Sequence, residues 1–196
     1  MNGATGPRLS PIPEEQWDDD IRAALRTGGA ALRSARIPNA VTTMLHHPSL
    51  AGSFLAYNAI LLNSSSLDDR MRELVILRVA WRTGSTYEWL QHARIAHRYA
   101  ISTEEIDAIA RGAEAPEWSG PEADLLVATD QLMDSYGVDD ETWARLSEHL
   151  DERQLVELVF VVGTYTCLAM AFNSFAIELD PELEDMTTVA RPTTRS

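Results

Sequence analysis

An all-α fold is what this sequence predicts, and three observations carry the prediction. Apolar residues recur at helical spacing, as in Leu67, Met71, Leu74, Val75 and Val79. Helix ends are marked by their own chemistry: Ser102-Thr103-Glu104-Glu105 is a capping box, Ser119-Gly120-Pro121 is a start signal, and Gly84, Gly112 and Gly137 are stops. No stretch reads convincingly as a strand.

The elements follow in order. Residues 1–20, rich in Pro, Gly and acid, predict an extended surface arm, with Trp17 and Ile21 able to dock it. Ile21 to Leu32 reads as a first helix, broken at Ile37-Pro38-Asn39; Val41 to Leu62 is helical material interrupted near His47-Pro48. Ser66 to Arg70 supplies a polar cap and acidic first turn for a helix that runs to about Arg82 and stops at Gly84. Ser85 to Tyr99 is the next, and the Ser102 box opens another that ends near Gly112. Ser119 begins one that ends before Gly137, and Asp139 to Leu150 and Asp151 to about Ile177 complete the set. The reading is seven to nine helices in a single compact domain over 21–180, with 181–196 as a tail.

Leu67-Asp68-Asp69-Arg70 before Glu73-Leu74-Val75 is similar to Leu150-Asp151-Glu152-Arg153 before Glu157-Leu158-Val159, with a one-residue shift. Duplication of a helical unit and capping chemistry shared by unrelated helix starts both account for it.

At 196 residues the chain is long enough to bury a sizeable core, and its 45% hydrophobic content is that of an ordinary globular protein. A formal charge of −14 opposes binding to a phosphate backbone, so no nucleic-acid partner is expected. No run reads as the roughly 20 apolar residues of a membrane span. The polar start has no leader pattern, so no membrane association and a cytoplasmic location are expected. Cys167 is the only cysteine, which excludes an intrachain disulfide and a CxxC redox pair. All 16 basic residues are arginine. Schiff-base, pyridoxal phosphate and Walker-loop chemistry each need a lysine and are therefore excluded.

The candidate chemistry lies around Thr83-Gly84-Ser85-Thr86-Tyr87-Glu88-Trp89-Leu90-Gln91-His92. Ser85, Glu88 and His92 stand at i, i+3 and i+7 and share one helix face, and Glu73 lies twelve residues before Ser85. A carboxylate one turn from an imidazole orients it and suits it to acid–base work near neutral pH. Ser85 and Glu88 also spell a capping box, in which both side chains serve backbone amides. Arg72, beside Glu73, is a candidate for holding an anionic group, and Tyr87 for walling a pocket. His46, His47, His97 and His149 have no comparable setting, and His97 reads as solvated. The spacing matches no HExxH site, so no metal is expected.

Arg72-Glu73-Leu74-Val75-Ile76-Leu77-Arg78-Val79-Ala80-Trp81, followed by Gly84-Ser85-Thr86-Tyr87-Glu88-Trp89-Leu90-Gln91-His92, resembles the carboxymuconolactone decarboxylase family, which includes alkylhydroperoxidase-D-like proteins. The resemblance runs from about Pro38 to Pro181 and is strongest over Leu67 to Gly112. It implies an all-helical trimer or hexamer acting on a small-molecule substrate. In the peroxidase branch the pattern is Glu, CxxC, His; here Glu73 and His92 match its ends, while Ser85 and Glu88 stand in place of the cysteines. Serine cannot pass through a sulfenic acid to a disulfide, so peroxidase activity by that route is excluded. The decarboxylase branch also has a glutamate four residues before the histidine. It implies cofactor-free acid–base chemistry by Glu73, Glu88 and His92 on a lactone or carbonyl compound, with Ser85, Tyr87 and Arg72 on the substrate. Glu73 is less typical of that branch. A non-catalytic binding or assembly protein on the same fold, and a peroxidase acting through Cys167, are the alternatives.

Overall fold

The computed structural model describes residues 6–27, 36–186, 190 and 192. Among these the α-helices are α1 Asp19–Thr27, α2 Asn39–Met44, α3 Pro48–Asn63, α4 Asp69–Thr83, α5 Thr86–Ala96, α6 Thr103–Arg111, α7 Gly120–Ser135, α8 Asp140–Ser147, α9 Glu152–Phe175 and α10 Pro181–Glu184. No strand occurs among the described residues. Residues 28–32, expected to finish the first helix, lie outside the described residues.

α4 is the centre of the fold. Every residue from Arg72 to Ala80 is buried, so this part of the helix has no solvent face, and α5, α6, α7 and α9 pack around it. Asp68 caps its start by accepting from the Arg70 and Met71 amides. Gly84 ends it at φ 66°, and Ser85 N donates to Ala80 O at 3.0 Å, so the chain turns back into α5 in the way a left-handed glycine permits. α5 gives way at His97–Tyr99 to a 3₁₀ turn instead of continuing as α-helix.

Three capping boxes open α6, α7 and α9, built by Ser102 with Glu105, Ser119 with Glu122, and Asp151 with Gln154. α9 passes Gly163 without interruption, whereas the similar sequence in α4 turns at Gly84. By length and composition α9 is apolar enough to cross a membrane, which the sequence reading did not anticipate; half of its apolar window is buried inside the fold, as in a core helix.

Polar ties fix α4 among its neighbours. Arg78, almost fully buried, donates to both carboxylate oxygens of Asp130 at 2.8 and 2.7 Å, and to Ile109 O at 2.6 Å. Arg70 pairs with Glu105 and Glu122, and Arg82 with Asp130 and Asp134. These arginines tie α4 to α6 and α7. Glu157 of α9 accepts from Ser65 Oγ, Ser66 N and Oγ, and Leu67 N through one oxygen, fastening the loop that leads into α4.

The first described residues run over the surface. The Arg8 and Leu9 amides donate to Phe175 O, and Ile12 N to Thr42 O. His46 Nε2 lies 3.0 Å from Ser10 O, His47 caps α3, and His97 Nδ1 bonds Ile101 O. At the other end α10, in the segment that composition placed in the tail, buries Leu183 completely.

Candidate active site

The sequence candidates meet where α4, α5 and α9 touch. Glu73 projects from α4 and His92 from α5, with Glu73 Oε1 2.8 Å from His92 Nδ1. The two differ in access: the Glu73 side chain is 1% exposed and that of His92 13%. Nε2 of His92 has no hydrogen-bond partner among the described residues. When Nδ1 carries the proton given to Glu73, the lone pair sits on Nε2; this tautomer is assigned from the hydrogen bond.

Glu88 enters from α5 one turn before His92 and is buried. Neither of its oxygens, nor Ser85 Oγ, completes a hydrogen bond among the described residues. The capping-box reading of Ser85 and Glu88 is thereby corrected, and the backbone supplies the reason. Ser102, Ser119 and Asp151, which do build boxes, have ψ of 168°, 163° and 170°; Ser85, coming straight out of the Gly84 turn, has ψ 87°. Burial dominates the titration of Glu88 and holds its carboxyl well above the usual carboxylate range, while the nearby Ser85 hydroxyl moderates the shift without reaching bonding geometry.

That burial carries a pH signature. Folded Glu88 keeps its proton above the ordinary value of 4.5, so over that interval the folded state binds more protons than the unfolded one and stability falls as pH rises. Glu88→Gln cannot titrate. The variant is expected to gain on the parent by up to about 1.4 kcal/mol per pH unit in that window. Urea unfolding at about pH 5 and about pH 8 reads this; an identical stability gap at both would show that burial does not raise the Glu88 titration.

Tyr165 of α9 completes the cluster, and the sequence reading did not single it out. Its ring meets the His92 ring edge-on at 5.2 Å between centroids. Its hydroxyl makes no hydrogen bond among the described residues. Burial, then the charges of Glu73 and Glu88, push it well above its ordinary value, with Arg72 opposing. A tyrosine within an otherwise apolar helix, two residues after Gly163, was the available signal. Arg72 reaches the same place: its Nη1 donates to Asp69 at 2.6 Å, its Nε is buried without a partner among the described residues, and its guanidinium lies 5.8 Å from the Tyr99 ring centroid.

Tyr87 does not join them. It donates to Asp180 and accepts from Gln91 Nε2 at 3.2 Å, so it braces the helix instead of walling this site. Trp89 is buried against Trp81 at 5.2 Å between centroids. Among the described residues no three His, Cys, Asp or Glu side chains converge to hold a metal ion.

Comparison with known proteins agrees with this architecture. The carboxymuconolactone decarboxylase family model matches residues 48–131, which include α4 and α5 with Glu73, Ser85, Glu88 and His92. No curated protein sequence matches the chain. Among solved structures, a peroxidase-related protein from Silicibacter sp. TM1040 aligns with TM-score 0.77 at 12% identity, covering 94% of this chain and 98% of that one. The alkylhydroperoxidase AhpD core of a peroxidase-related protein from Ralstonia eutropha JMP134 aligns at 0.74 and 18%, covering 89% and 94%. The debrominase Bmp8, as a cysteine-to-alanine variant in complex with 2,3,4-tribromopyrrole, aligns at 0.74 and 14%, covering 92% and 96%. The chain is thus similar to the carboxymuconolactone decarboxylase family over residues 48–131 and shares the all-helical fold of the alkylhydroperoxidase-type structures.

Proposed function

We propose that the protein is a non-redox acid–base enzyme acting without a cofactor on a small carbonyl or lactone substrate. The observation that carries this reading is the Glu73–His92 pair at 2.8 Å, set beside a buried Glu88 carboxyl that no described protein group engages. Environment separates the roles of the two carboxyls. Glu73, bonded to imidazole, orients the base; Glu88, held neutral by burial, is a proton or hydrogen-bond donor for a developing enolate oxygen. His92 Nε2 removes a proton next to a carbonyl, or returns one.

In a decarboxylation the electrons of the breaking C–C bond pass into the conjugated carbonyl, carbon dioxide leaves, and His92, with Nε2 first protonated from solvent, delivers that proton to carbon and returns to its neutral form. Arg72, through its unpartnered Nε, orients the departing carboxylate. Isomerisation and cyclisation use the same parts. The family match over the segment bearing these residues and the likeness to a debrominase fold support an enzyme, while the absence of cysteine at positions 85 and 88 weighs against thiol chemistry. Cys167 is exposed on α9, whereas Tyr165 of the same helix is buried.

The test is a panel of small unsaturated lactone acids and ketones, followed for carbon dioxide release and for solvent deuterium entering carbon. Turnover by the parent and its loss in His92→Gln is the expected result. Exchange unchanged in a folded His92→Gln protein would overturn the proposal. Tyr165→Phe, which keeps the ring against His92, is expected to change kcat more than KM; unchanged kinetics would remove the hydroxyl from the reaction.

A binding or assembly protein is the second reading, favoured by the near-complete burial of Glu73, Glu88 and Tyr165. It predicts saturable ligand binding with no exchange. The lack of any described backbone amide on Glu88 weighs against it.

A further inference from the structure

Asp180, just ahead of α10, is buried, and its two carboxylate oxygens serve different helices. Oδ1 accepts from the Asn39 amide at the start of α2 at 2.9 Å. Oδ2 accepts from Tyr87 Oη and, at 2.8 Å, from Gln91 Nε2, both on α5. Gln91 Nε2 also donates to Tyr87 Oη at 3.2 Å, so the three side chains close a ring of hydrogen bonds. Burying a carboxylate is a costly way to close a helix contact, because its desolvation must be offset by the bonds it receives. Apolar side chains would hold the same helices together and leave α5 able to turn about its axis; a carboxylate oxygen that takes two directed bonds from one helix resists that rotation.

The position of the two donors on α5 ties this ring to the site. Tyr87 and Gln91 are one turn apart, and each immediately precedes a site residue, Glu88 and His92, which are also one turn apart. The two pairs form neighbouring stripes about 100° apart round the helix, so holding one stripe sets the direction of the other. The same helix α9 meets both: Phe172 stands edge-on to the Tyr87 ring at 5.3 Å between centroids, as Tyr165 does to His92. An imidazole nitrogen at about 6 Å from the helix axis moves about 1 Å for a rotation of about 10°. A misplacement of that size is worth about 10²-fold in rate.

We propose that Asp180 is a positioning residue for the Glu73–His92 pair: by holding Tyr87 and Gln91 it fixes the rotation of α5 that keeps His92 Nδ1 on Glu73 and the imidazole against Tyr165. Its effect on turnover rests on the acid–base function proposed above; its effect on the imidazole does not.

Asp180→Asn is isosteric and separates the two arms. The side-chain oxygen can keep the Asn39 amide, while the new amide nitrogen, in the place of Oδ2, meets Gln91 Nε2 donor to donor. In the full chain this variant is expected to lower kcat about 10- to 10²-fold with KM within about twofold of the parent. The His92 nitrogen resonances are expected to move and the proton signal of Nδ1 to weaken. Adding Gln91→Glu places an acceptor opposite the amide nitrogen and is expected to recover most of both losses. Gln91→Leu, at a half-buried position, is the second variant should Asp180→Asn fail to fold. His92 resonances that stay where they are in a folded Asp180→Asn or Gln91→Leu protein overturn the proposal, even if the urea midpoint falls, because the clasp would then serve stability alone. A double variant no better than Asp180→Asn overturns it as well. The nitrogen signals need no turnover, so the two readings fail separately: moved resonances in a protein that exchanges no substrate hydrogen sustain the clasp and count against the acid–base function.

Discussion

Glu73→Gln is expected to lower turnover about 10²- to 10⁴-fold, the range that a positioned acid–base pair supplies, with His92→Ala at the upper end. The carboxylate of Glu73 accepts from His92 Nδ1 at 2.8 Å; in the proposed reaction it fixes the proton there and stabilises the imidazolium that forms when Nε2 takes a second proton. An amide accepts or donates equally well, so the tautomer is released and the charge stabilisation is lost. Two readouts separate this from a structural defect. The nitrogen shifts of His92 should move from a single Nε2-basic tautomer toward a mixture, and the pH profile of kcat should change shape. Full turnover in a folded Glu73→Gln protein would remove Glu73 from the chemistry.

Gly112→Ala is expected to cost about 3–5 kcal/mol, from backbone strain plus the loss of charge-assisted hydrogen bonds. Gly112 sits at φ 83°, ψ −159°, a conformation that is nearly glycine-only. An added Cβ would stand 2.9 Å from Arg78 Nη2. Arg78 cannot yield without loosening its two bonds to Asp130 and its bond to Ile109 O, which hold α4 against α6 and α7. Gly120→Ala serves as the control, because a Cβ there meets nothing within 4 Å. Urea midpoints of the two variants compare them directly; a Gly112→Ala loss no larger than that of Gly120→Ala would show that the backbone and Arg78 adapt without cost.

What could be read in advance was whatever depends on neighbours in sequence. The Ser102 and Ser119 starts and the Gly84 and Gly112 stops are local chemistry, and the helices begin and end at them. Ser85 with Glu88 has the same letters as a capping box and a different outcome, because the Gly84 turn sets ψ of Ser85 before its hydroxyl can reach an amide. Tyr165 was hidden for another reason. Periodicity places it on the inward side of α9 but does not say that His92, 73 positions earlier, is what it meets. Leu183 likewise looked like part of a polar tail until the fold offered it a completely buried place.

Asp180 accepts from Asn39 N, Tyr87 Oη and Gln91 Nε2, so one carboxylate joins the start of α2, 141 residues away, to α5, 93 and 89 residues away. Tyr87 and Gln91 belong to the helix that carries His92. The clasp has a consequence in time. A chain emerging from the ribosome can form α4 and α5 early, but it has neither Tyr165 against the imidazole nor the carboxylate that steadies α5 until synthesis has passed residue 180 of 196. Closing such distant contacts is slow relative to helix formation. The arrangement of Tyr165, His92 and the braced α5 is therefore completed late, and a copy cut off before Asp180 is helical but lacks it.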